Sequence, residues 1–282
     1  MPTPRPDGYR HAVDFEWPEA IPWSELGPHF VETWGRPNGK FQPEHVEITG
    51  QSGSGKTYLL IDLLQQRAHI RGSSEILVMT KNADDTVHLL GWPIVDTWKD
   101  VRRYEQVIFW PRTSKLGKAR KNYHKGKIEE LLDNLWQPEA NTVLAFDEIG
   151  YVESLGPDIK DIVQMYWREA RSAAGITMLA MKQRPIGVSR DQHSETRWKF
   201  VFPPAGDRGD ADRFAELLGA PRDWVPVLDS LDQTKHQFVV RNSFTKDAYI
   251  SWIDYDIKPM PLQSNQRDRT AREYLHGRKR RG

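Results

Sequence analysis

A glycine-rich segment that opens a helix-like apolar stretch is the clearest chemical feature of the sequence. Residues 50–57 read GQSGSGKT and match the pattern G-x-x-x-x-G-K-[ST]. The glycines let backbone amides converge on an anion at a helix N-terminus. The Lys56 ammonium can reach the β- and γ-phosphates of a nucleoside triphosphate, and the Thr57 hydroxyl can hold Mg²⁺. The segment therefore predicts a nucleotide site formed by Gly50, Gln51, Ser52, Gly53, Ser54, Gly55, Lys56 and Thr57.

Two neighbouring carboxylates follow another apolar run. Residues 142–148 read TVLAFDE, so a buried strand would deliver Asp147 and Glu148 to its C-terminal edge, where ligands bind in open parallel sheets. Asp147 can support the Mg²⁺ shell, and Glu148 can orient and polarise an attacking water. The pair favours ATP hydrolysis over phosphoryl transfer to an acceptor. The alternative is that the pair only caps the helix that begins near residue 157.

An uncharged amide ends a further apolar run. Residues 176–181 read ITMLAM and lead into Lys182, Gln183, Arg184 and Pro185. At the tip of a strand beside the Asp-Glu strand, the Gln183 amide can contact both the γ-phosphate and the attacking water. On spacing alone, a polar residue that merely ends a strand is an equal alternative.

Short apolar runs alternate with amphipathic stretches in the part of the chain that must position these residues. The runs lie at 45–50, 75–80, 106–111, 142–148 and 176–181, and helices are predicted near 56–69, 84–91, 126–137 and 157–174. This alternation predicts an α/β fold, a P-loop NTPase of the RecA-like type with a mainly parallel central sheet flanked by helices. Further strands at 197–202, 237–242 and 247–254 predict a small C-terminal β-hairpin, and a short helix is predicted at 208–218.

The composition divides the chain into three parts. Eight of the 19 prolines fall within the first 43 residues, which predicts an extended Pro-rich arm over residues 1–44 that packs on the core. Residues 45–256 are predicted to form the ATPase domain, and residues 257–282 a basic, flexible tail. The chain has no cysteine, which excludes disulfides and thiolate metal sites. No apolar run approaches the ~18 residues of a membrane span, so we expect no membrane insertion and a cytoplasmic location.

Positive charge is concentrated although the formal net charge is only +1. Residues 112–127 contain seven Lys or Arg and no acid, and the tail at 267–282 contains seven Lys or Arg and two acids. The remainder of the chain is therefore acidic. We predict that residues 112–127 form a mobile basic loop that contacts the backbone of double-stranded DNA without sequence preference, with a solvated surface loop as the alternative. The candidate contacts are Lys115, Lys118, Arg120, Lys121, Lys125 and Lys127.

Three segments together resemble the FtsK–HerA family of P-loop ATPases, which are ring-forming DNA pumps. They are GQSGSGKT, LAFDEIG and EARSAAGITMLAMKQRP, and the Gln-Arg-Pro that follows an Ala-Gly-Ile strand is the most discriminating piece. The resemblance spans roughly residues 45–255. It implies ATP and Mg²⁺ as ligands, Gln183 as a γ-phosphate sensor and self-association into a hexameric or pentameric ring. It also implies an arginine donated to the neighbouring subunit's site, for which Arg171 and Arg168 are candidates, although both suit an ordinary solvated or salt-bridging pair.

A compact chain without an obvious membrane anchor or winged-helix module resembles the viral genome-packaging and mobile-element DNA-transfer members of this family. The resemblance therefore implies an ATP-driven DNA translocase, which in a virus would work in the host cytoplasm and dock on a portal or transfer complex. The alternative is a phage assembly or secretion ATPase that acts on protein instead of DNA.

Overall fold

An almost entirely parallel sheet forms the centre of the fold. The structure, a computed structural model, describes residues 15–35, 44–69, 74–185, 190–204 and 208–261. In these ranges the strands are β1 (Glu19–Ala20), β2 (Val46–Thr49), β3 (Ser74–Val78), β4 (Ile94–Val95), β5 (Gln106–Phe109), β6 (Thr142–Phe146), β7 (Thr177–Lys182), β8 (Trp198–Val201), β9 (Phe238–Asn242) and β10 (Ala248–Ser251). They form one sheet in the order β1-β10-β9-β8-β2-β7-β6-β3-β5-β4.

Strand direction confirms the predicted fold class. The strands from β8 to β4 in this order are all parallel, whereas β9 is antiparallel to both β8 and β10 and forms the C-terminal hairpin with β10. The β7 strand lies between β2 and β6. The C-terminal ends of these three strands therefore meet at one edge, which is where the three sequence motifs begin.

Helices cover both faces of the sheet. In the described residues they are α1 (Trp23–Gly35), α2 (Lys56–Ala68), α3 (Trp98–Val101), α4 (Gly117–Leu135), α5 (Ile149–Glu153), α6 (Pro157–Ala174), α7 (Arg190–Glu195), α8 (Arg208–Leu218) and α9 (Pro221–Asp229). Strand alternation divides the apolar side chains between the faces: in β7, Leu179 and Met181 join the core beneath α1 and α2, and Met178 and Ala180 join the core beneath α4 and α6. A third core lies under α8 and α9. No helix of the described chain is long and apolar enough to cross a membrane.

The N-terminal segment contains a helix that the sequence did not predict. Helix α1 includes Pro28, whereas the prolines of this segment predict an extended chain, because proline interrupts most helices. Burial of aromatic side chains outweighs this cost. Trp23 and Phe30 pack against Phe200 of the sheet, with ring centroids 5.8 and 5.1 Å away, and Trp34 is fully buried. Residues 1–14, 36–43 and 262–282 lie outside the described residues, so the predicted arm and basic tail stay predictions at those positions.

The basic segment is a helix and not the predicted loop. Helix α4 begins at Gly117, about nine residues before the predicted start, and continues through Gly126. Lysine and arginine are good helix formers, and the buried side chains of Ile128, Leu131 and Leu135 anchor the helix to the sheet. The prediction failed because Gly126 was interpreted as a loop residue.

Truncation of a buried α1 aromatic tests whether this helix belongs to the core. Phe30 is 3% exposed and touches Trp34, Trp198 and Phe200. We expect Phe30→Ala to lower the free energy of unfolding by about 3–5 kcal/mol, measured by urea denaturation. Phe244, which is 73% exposed, is the matched control, and Phe244→Ala should cost less than about 1 kcal/mol. Equal losses in the two variants would contradict the packing of α1.

A buried histidine predicts acid sensitivity of the fold. The Nδ1 atom of His45 accepts a hydrogen bond from the Met178 N–H, and Nε2 donates one to the Trp167 carbonyl, each at 3.0 Å. Burial, with the nearby Arg171 charge, lowers the pKa of His45 from 6.5 to about 3. The folded chain thus resists protonating this ring, whereas the unfolded chain takes up a proton near pH 6.5, so stability is lost as the pH falls from 6.5 towards 3.

The measurement is the free energy of unfolding in urea at pH 7, 6, 5 and 4. The His45 contribution should fall by up to about 1.4 kcal/mol per pH unit below 6.5, and His45→Gln should remove that slope. If the free energies of unfolding of wild type and variant differ by a constant amount from pH 7 to pH 4, His45 does not cause the acid sensitivity.

Candidate functional site

The residues of the three motifs line one cavity at the C-terminal edge of the sheet. The cavity has a volume of about 460 Å³. Its lining includes most of the residues predicted for nucleotide binding and hydrolysis, namely Ser52, Gly53, Gly55, Lys56, Thr57, Asp147, Glu148 and Gln183. Gly50, Gln51 and Ser54 do not line it, although they belong to the same loop. The structure therefore brings residues of the phosphate loop, the Asp-Glu pair and Gln183 together at one cavity, and their roles stay predictions.

The loop between β2 and α2 has the backbone that close approach to phosphates requires. Gly53 and Gly55 have φ angles of +80° and +99°, a region that disfavours other residues. A Cβ atom on Gly50 would lie 2.6 Å from Cβ of Phe202, so glycine is needed where the loop leaves β2. The loop thus folds around an open concavity at the start of a 13-residue helix, an arrangement that favours anions.

Lys56 lies inside this loop. Its side chain is buried, and Nζ donates to the Gln51 carbonyl at 2.6 Å. Burial lowers the pKa of Lys56 to about 8, while the negative charge of Glu148 opposes the shift. At neutral pH the ammonium is charged and held by one backbone acceptor. Phosphate oxygens would offer it stronger, charge-assisted partners.

Asp147 is held almost completely out of water. Its Oδ1 accepts from the Thr80 N–H at 3.0 Å and from the Thr80 hydroxyl at 2.9 Å. The other oxygen, Oδ2, is buried and has no partner. Burial raises the pKa of Asp147 to about 6. A buried carboxylate oxygen without a partner is a costly arrangement that a cation or a hydrogen-bond donor would relieve.

These groups fit a magnesium ion with few protein ligands. Mg²⁺ is commonly bound by one or two protein oxygens together with substrate phosphates and waters. The unpartnered Oδ2 of Asp147 and the Thr57 hydroxyl are the candidate ligands at the cavity. In the described part of the chain no cluster of three or more His, Cys, Asp or Glu residues suits a metal, so a site built by the protein alone is not supported there.

Glu148 is placed differently from its neighbour. It precedes α5, is partly exposed and faces the cavity. Burial and the adjacent Asp147 charge raise the pKa of Glu148. The alternative that the pair serves as a cap for α6 is not supported, because α6 begins at Pro157 after an intervening helix, and Glu148 makes no side-chain cap bond to α5. A carboxylate with raised proton affinity is suited to polarising a water molecule.

Gln183 follows the end of β7 and is exposed at the cavity. A buried ion pair fixes the strand just before it: Lys182 Nζ lies 2.9 Å from Glu47 Oε1, with side chains 5% and 1% exposed. Glu47 belongs to β2, and the Gly50 N–H donates to the Lys182 carbonyl at 3.1 Å. The ion pair and this hydrogen bond therefore fix the position of Gln183 relative to the phosphate loop.

Several lining residues were missed by the sequence interpretation. Apolar and aromatic side chains form one wall, and cationic ones add charge; they are Tyr58, Lys81, Met181, Phe202, Lys235, His236, Phe238, Ile253 and Tyr255. Among them, His236 lies against Gly55 of the phosphate loop. Tyr58 and Met181 adjoin the motifs, and Lys81 follows an apolar run, whereas the other residues are distant in sequence from the motifs.

The two candidate arginines do not line this cavity. Arg171 lies close enough to His45 to affect its titration, and His45 precedes β2, so Arg171 is at the opposite edge of the sheet from the phosphate loop. Arg168 is exposed one turn earlier on α6. Neither arginine serves the site of its own chain. Their predicted role in a neighbouring subunit's site stays a prediction.

The predicted DNA contacts on α4 differ from one another. Lys115, Lys118 and Lys121 are exposed, and Lys115 and Lys127 flank the Tyr123 ring at 5.3 and 5.9 Å from its centroid. Lys125 pairs with Asp158 at 2.8 Å. Arg120 points inward, and its Nη2 donates to the Thr80 carbonyl at 2.8 Å.

Comparison with solved structures identifies the fold. Comparison of the sequence with protein-family models and with curated proteins gives no match. The genome-packaging NTPase B204 from Sulfolobus turreted icosahedral virus 2 is similar over 76% of this chain and 98% of its own, with a TM-score of 0.53 and 16% identity. B204 has also been solved in complex with AMPPCP.

Two further ATPases are similar to the same degree. EssC (ATPases 2 and 3) from Geobacillus thermodenitrificans has a TM-score of 0.52 and 15% identity over 84% of this chain. The cytoplasmic domain of the Thermomonospora curvata type VII secretion ATPase EccC has a TM-score of 0.51 and 16% identity over 80%. This chain covers 45% and 27% of those chains. At such identities the likeness establishes the fold alone, which is the fold of these ATPases.

Removal of the Thr80 hydroxyl tests the support of Asp147. Thr80→Val keeps the N–H donor but deletes one bond to a buried carboxylate, which should lower the free energy of unfolding by about 1.5–3 kcal/mol in urea at pH 8. Thr245→Val is the matched control, because it removes a threonine–aspartate bond at an exposed site, to Asp247, and should cost less than about 1 kcal/mol. Losses of the same size would show that the buried Thr80–Asp147 bond stabilises the fold no more than an exposed bond does.

Proposed function

We propose that the chain is an ATPase whose cavity binds MgATP and hydrolyses it. The observation that carries the proposal is the joint lining of one cavity by Lys56, Thr57, Asp147, Glu148 and Gln183. ATP is the proposed nucleotide because B204, which shares the fold, is known in complex with ATP analogues. The aromatic wall that includes Tyr58 and Tyr255 offers a surface for the base.

Each residue has a proposed task. The loop amides and Lys56 would bind the phosphates, and Thr57 and Asp147 would hold Mg²⁺, which would supply positive charge to the phosphates. Glu148 orients the attacking water and accepts its proton. Gln183 contacts the γ-phosphate and thereby reports the nucleotide state to β7. In a ring, Arg171 or Arg168 of each subunit would act at its neighbour's site.

We further propose that ATP hydrolysis drives movement of double-stranded DNA by a hexameric or pentameric ring. Support comes from the exposed lysines of α4 and from B204, which is a genome-packaging enzyme. A genome-packaging or mobile-element transfer role, with docking to a portal or transfer complex, accounts best for a chain that spans nearly all of B204. The alternative is a motor for protein export, favoured by the likeness to EccC and EssC.

Glu148→Gln tests the hydrolytic step. The amide keeps the side-chain shape but cannot accept a proton, so we expect turnover to fall by about 10²- to 10⁴-fold while ATP affinity is retained. Phosphate release measures turnover, and calorimetry with ATP measures binding. Glu216→Gln on the exposed side of α8 is the control and should behave as wild type. Wild-type turnover in Glu148→Gln would remove Glu148 from the mechanism.

DNA dependence separates the two candidate cargoes. We expect long double-stranded DNA to raise the ATPase rate, and Lys118→Ala with Lys121→Ala to raise the DNA concentration needed for half-maximal stimulation. Because phosphate contacts release counterions, DNA affinity should drop by about tenfold or more between 50 and 200 mM salt. An ATPase with neither stimulation nor salt-sensitive DNA binding would favour the protein-export alternative.

A further inference from the structure

Helix α4 presents two faces with different tasks. Its buried stripe begins at His124 and continues every three or four residues through Ile128, Leu131 and Leu135. Arg120, which is partly exposed, lies one turn before His124 on the same side of the helix. Lys118 and Lys121 lie on the outer face and are exposed. Arg120 is therefore part of the packing of α4 on the sheet, and the outer lysines are the groups that a polyanion can reach.

Arg120 is linked to the Asp147 carboxylate through one residue. Its Nη2 donates to the Thr80 carbonyl at 2.8 Å. The N–H and hydroxyl of Thr80 both donate to Asp147 Oδ1, at 3.0 and 2.9 Å. Because Thr80 makes two hydrogen bonds to Oδ1, it helps to set the direction of Oδ2, and the neighbouring Lys81 also acts on this carboxylate. A movement of Arg120 would therefore reorient Asp147.

A second contact joins the basic segment to the same place. The Trp110 Nε1 donates to the Lys81 carbonyl at 2.8 Å, and the Arg112 guanidinium lies 3.9 Å from the centroid of the Trp110 ring. The Lys81 side chain lines the nucleotide cavity. The carbonyls of Thr80 and Lys81 thus accept hydrogen bonds from Arg120 and Trp110, respectively. The Thr80 side chain bonds Asp147, and the Lys81 side chain lines the cavity.

The residues at the start of α4 make few contacts with the rest of the protein. Leu116, the residue before the helix, makes no side-chain cap bond and is 78% exposed, and Gly117 has a φ angle of +54° with open space around it. A phosphate backbone at Lys118 and Lys121 would also be attracted by the N-terminal end of the helix dipole. Binding there can fix or shift the first turn of α4, and Arg120 lies within it.

We propose that Arg120 is a positioning residue that couples polyanion binding on the outer face of α4 to Asp147 through Thr80. The polyanion is the phosphate backbone of duplex DNA, and this coupling rests on the proposed function. DNA on α4 stabilises the arrangement in which Thr80 aims Asp147 at the metal, and hydrolysis accelerates. Without the Arg120–Thr80 bond, DNA binds to the outer lysines but no longer changes the rate.

The test compares DNA affinity with DNA stimulation in the full chain. Anisotropy of a labelled duplex gives the affinity, and phosphate release with and without saturating duplex gives the ratio of stimulated to basal rate. Coupled sites commonly change each other by about 5- to 150-fold. We expect the DNA affinity of Arg120→Ala to stay within about threefold of wild type. Its maximal ratio of stimulated to basal rate should be at least about fivefold lower than that of wild type. Arg120→Lys, which keeps one donor, should regain part of it.

Two other variants serve as comparisons. Lys121→Ala should weaken DNA binding yet reach the wild-type maximal ratio at saturating duplex. Arg103→Ala removes a surface arginine that pairs with Asp100, and it should match wild type in both measurements. Arg120→Ala with wild-type stimulation, or with the behaviour of Lys121→Ala, would overturn the coupling.

The outcomes remain distinct from failure of the proposed function. A wild-type chain that hydrolyses no ATP, or that gains nothing from DNA, refutes the proposed function and the coupling together. If melting shows that Arg120→Ala is unfolded, Arg120→Lys decides. A reduced maximal ratio at unchanged DNA affinity supports the coupling, and any other result in that variant overturns it.

Discussion

Burial of the Asp147 carboxylate is the constraint on which the rest of the site depends. The group is 3% exposed, with one oxygen satisfied by Thr80 and the other unpartnered. Taking a carboxylate out of water is unfavourable, and the raised pKa of Asp147 reports that cost. Asp147 directly follows the apolar residues 143–146 of β6, so the carboxylate lies at the edge of the sheet, where a cation can neutralise it.

The other parts of the cavity complement this charge. Lys56 and Lys81 contribute positive charge. Burial and the negative charge of Asp147 raise the pKa of Glu148, and the positive charges of Lys56 and Lys81 oppose that rise. The Glu47–Lys182 ion pair holds β2 and β7 together below the edge. Breaking a buried pair leaves an uncompensated charge, so the relative position of the phosphate loop and Gln183 is strongly fixed.

The sequence predicted the parts that local pattern determines. The parallel sheet followed from apolar runs separated by amphipathic stretches, and the motif residues at 50–57, 147–148 and 183 all follow strands, so they had to meet at one edge. The strand that ends before Gln183, β7, lies directly beside β6, the strand of the Asp-Glu pair, as predicted. The cavity's aromatic wall was not predictable, because Tyr255 and His236 reach it through tertiary packing without any local motif.

Two failures have specific physical reasons. Helix α1 was missed because Pro28 and its neighbouring prolines suggested an extended chain, whereas burial of Trp23 and Phe30 stabilises the helix. Arg120 was grouped with the surface lysines because charge alone does not show orientation. The helical structure of that segment places Arg120 one turn before the buried residue His124, on the side of α4 that faces the sheet.

The most direct test of the central claim is Mn²⁺ electron paramagnetic resonance of the chain with ATPγS, because Mn²⁺ reports on the same oxygen ligands that Mg²⁺ would use. The account predicts one immobilised Mn²⁺ per chain that requires the nucleotide, and its loss in Asp147→Asn. Mn²⁺ that binds without nucleotide, or binding that Asp147→Asn leaves unchanged, would contradict it.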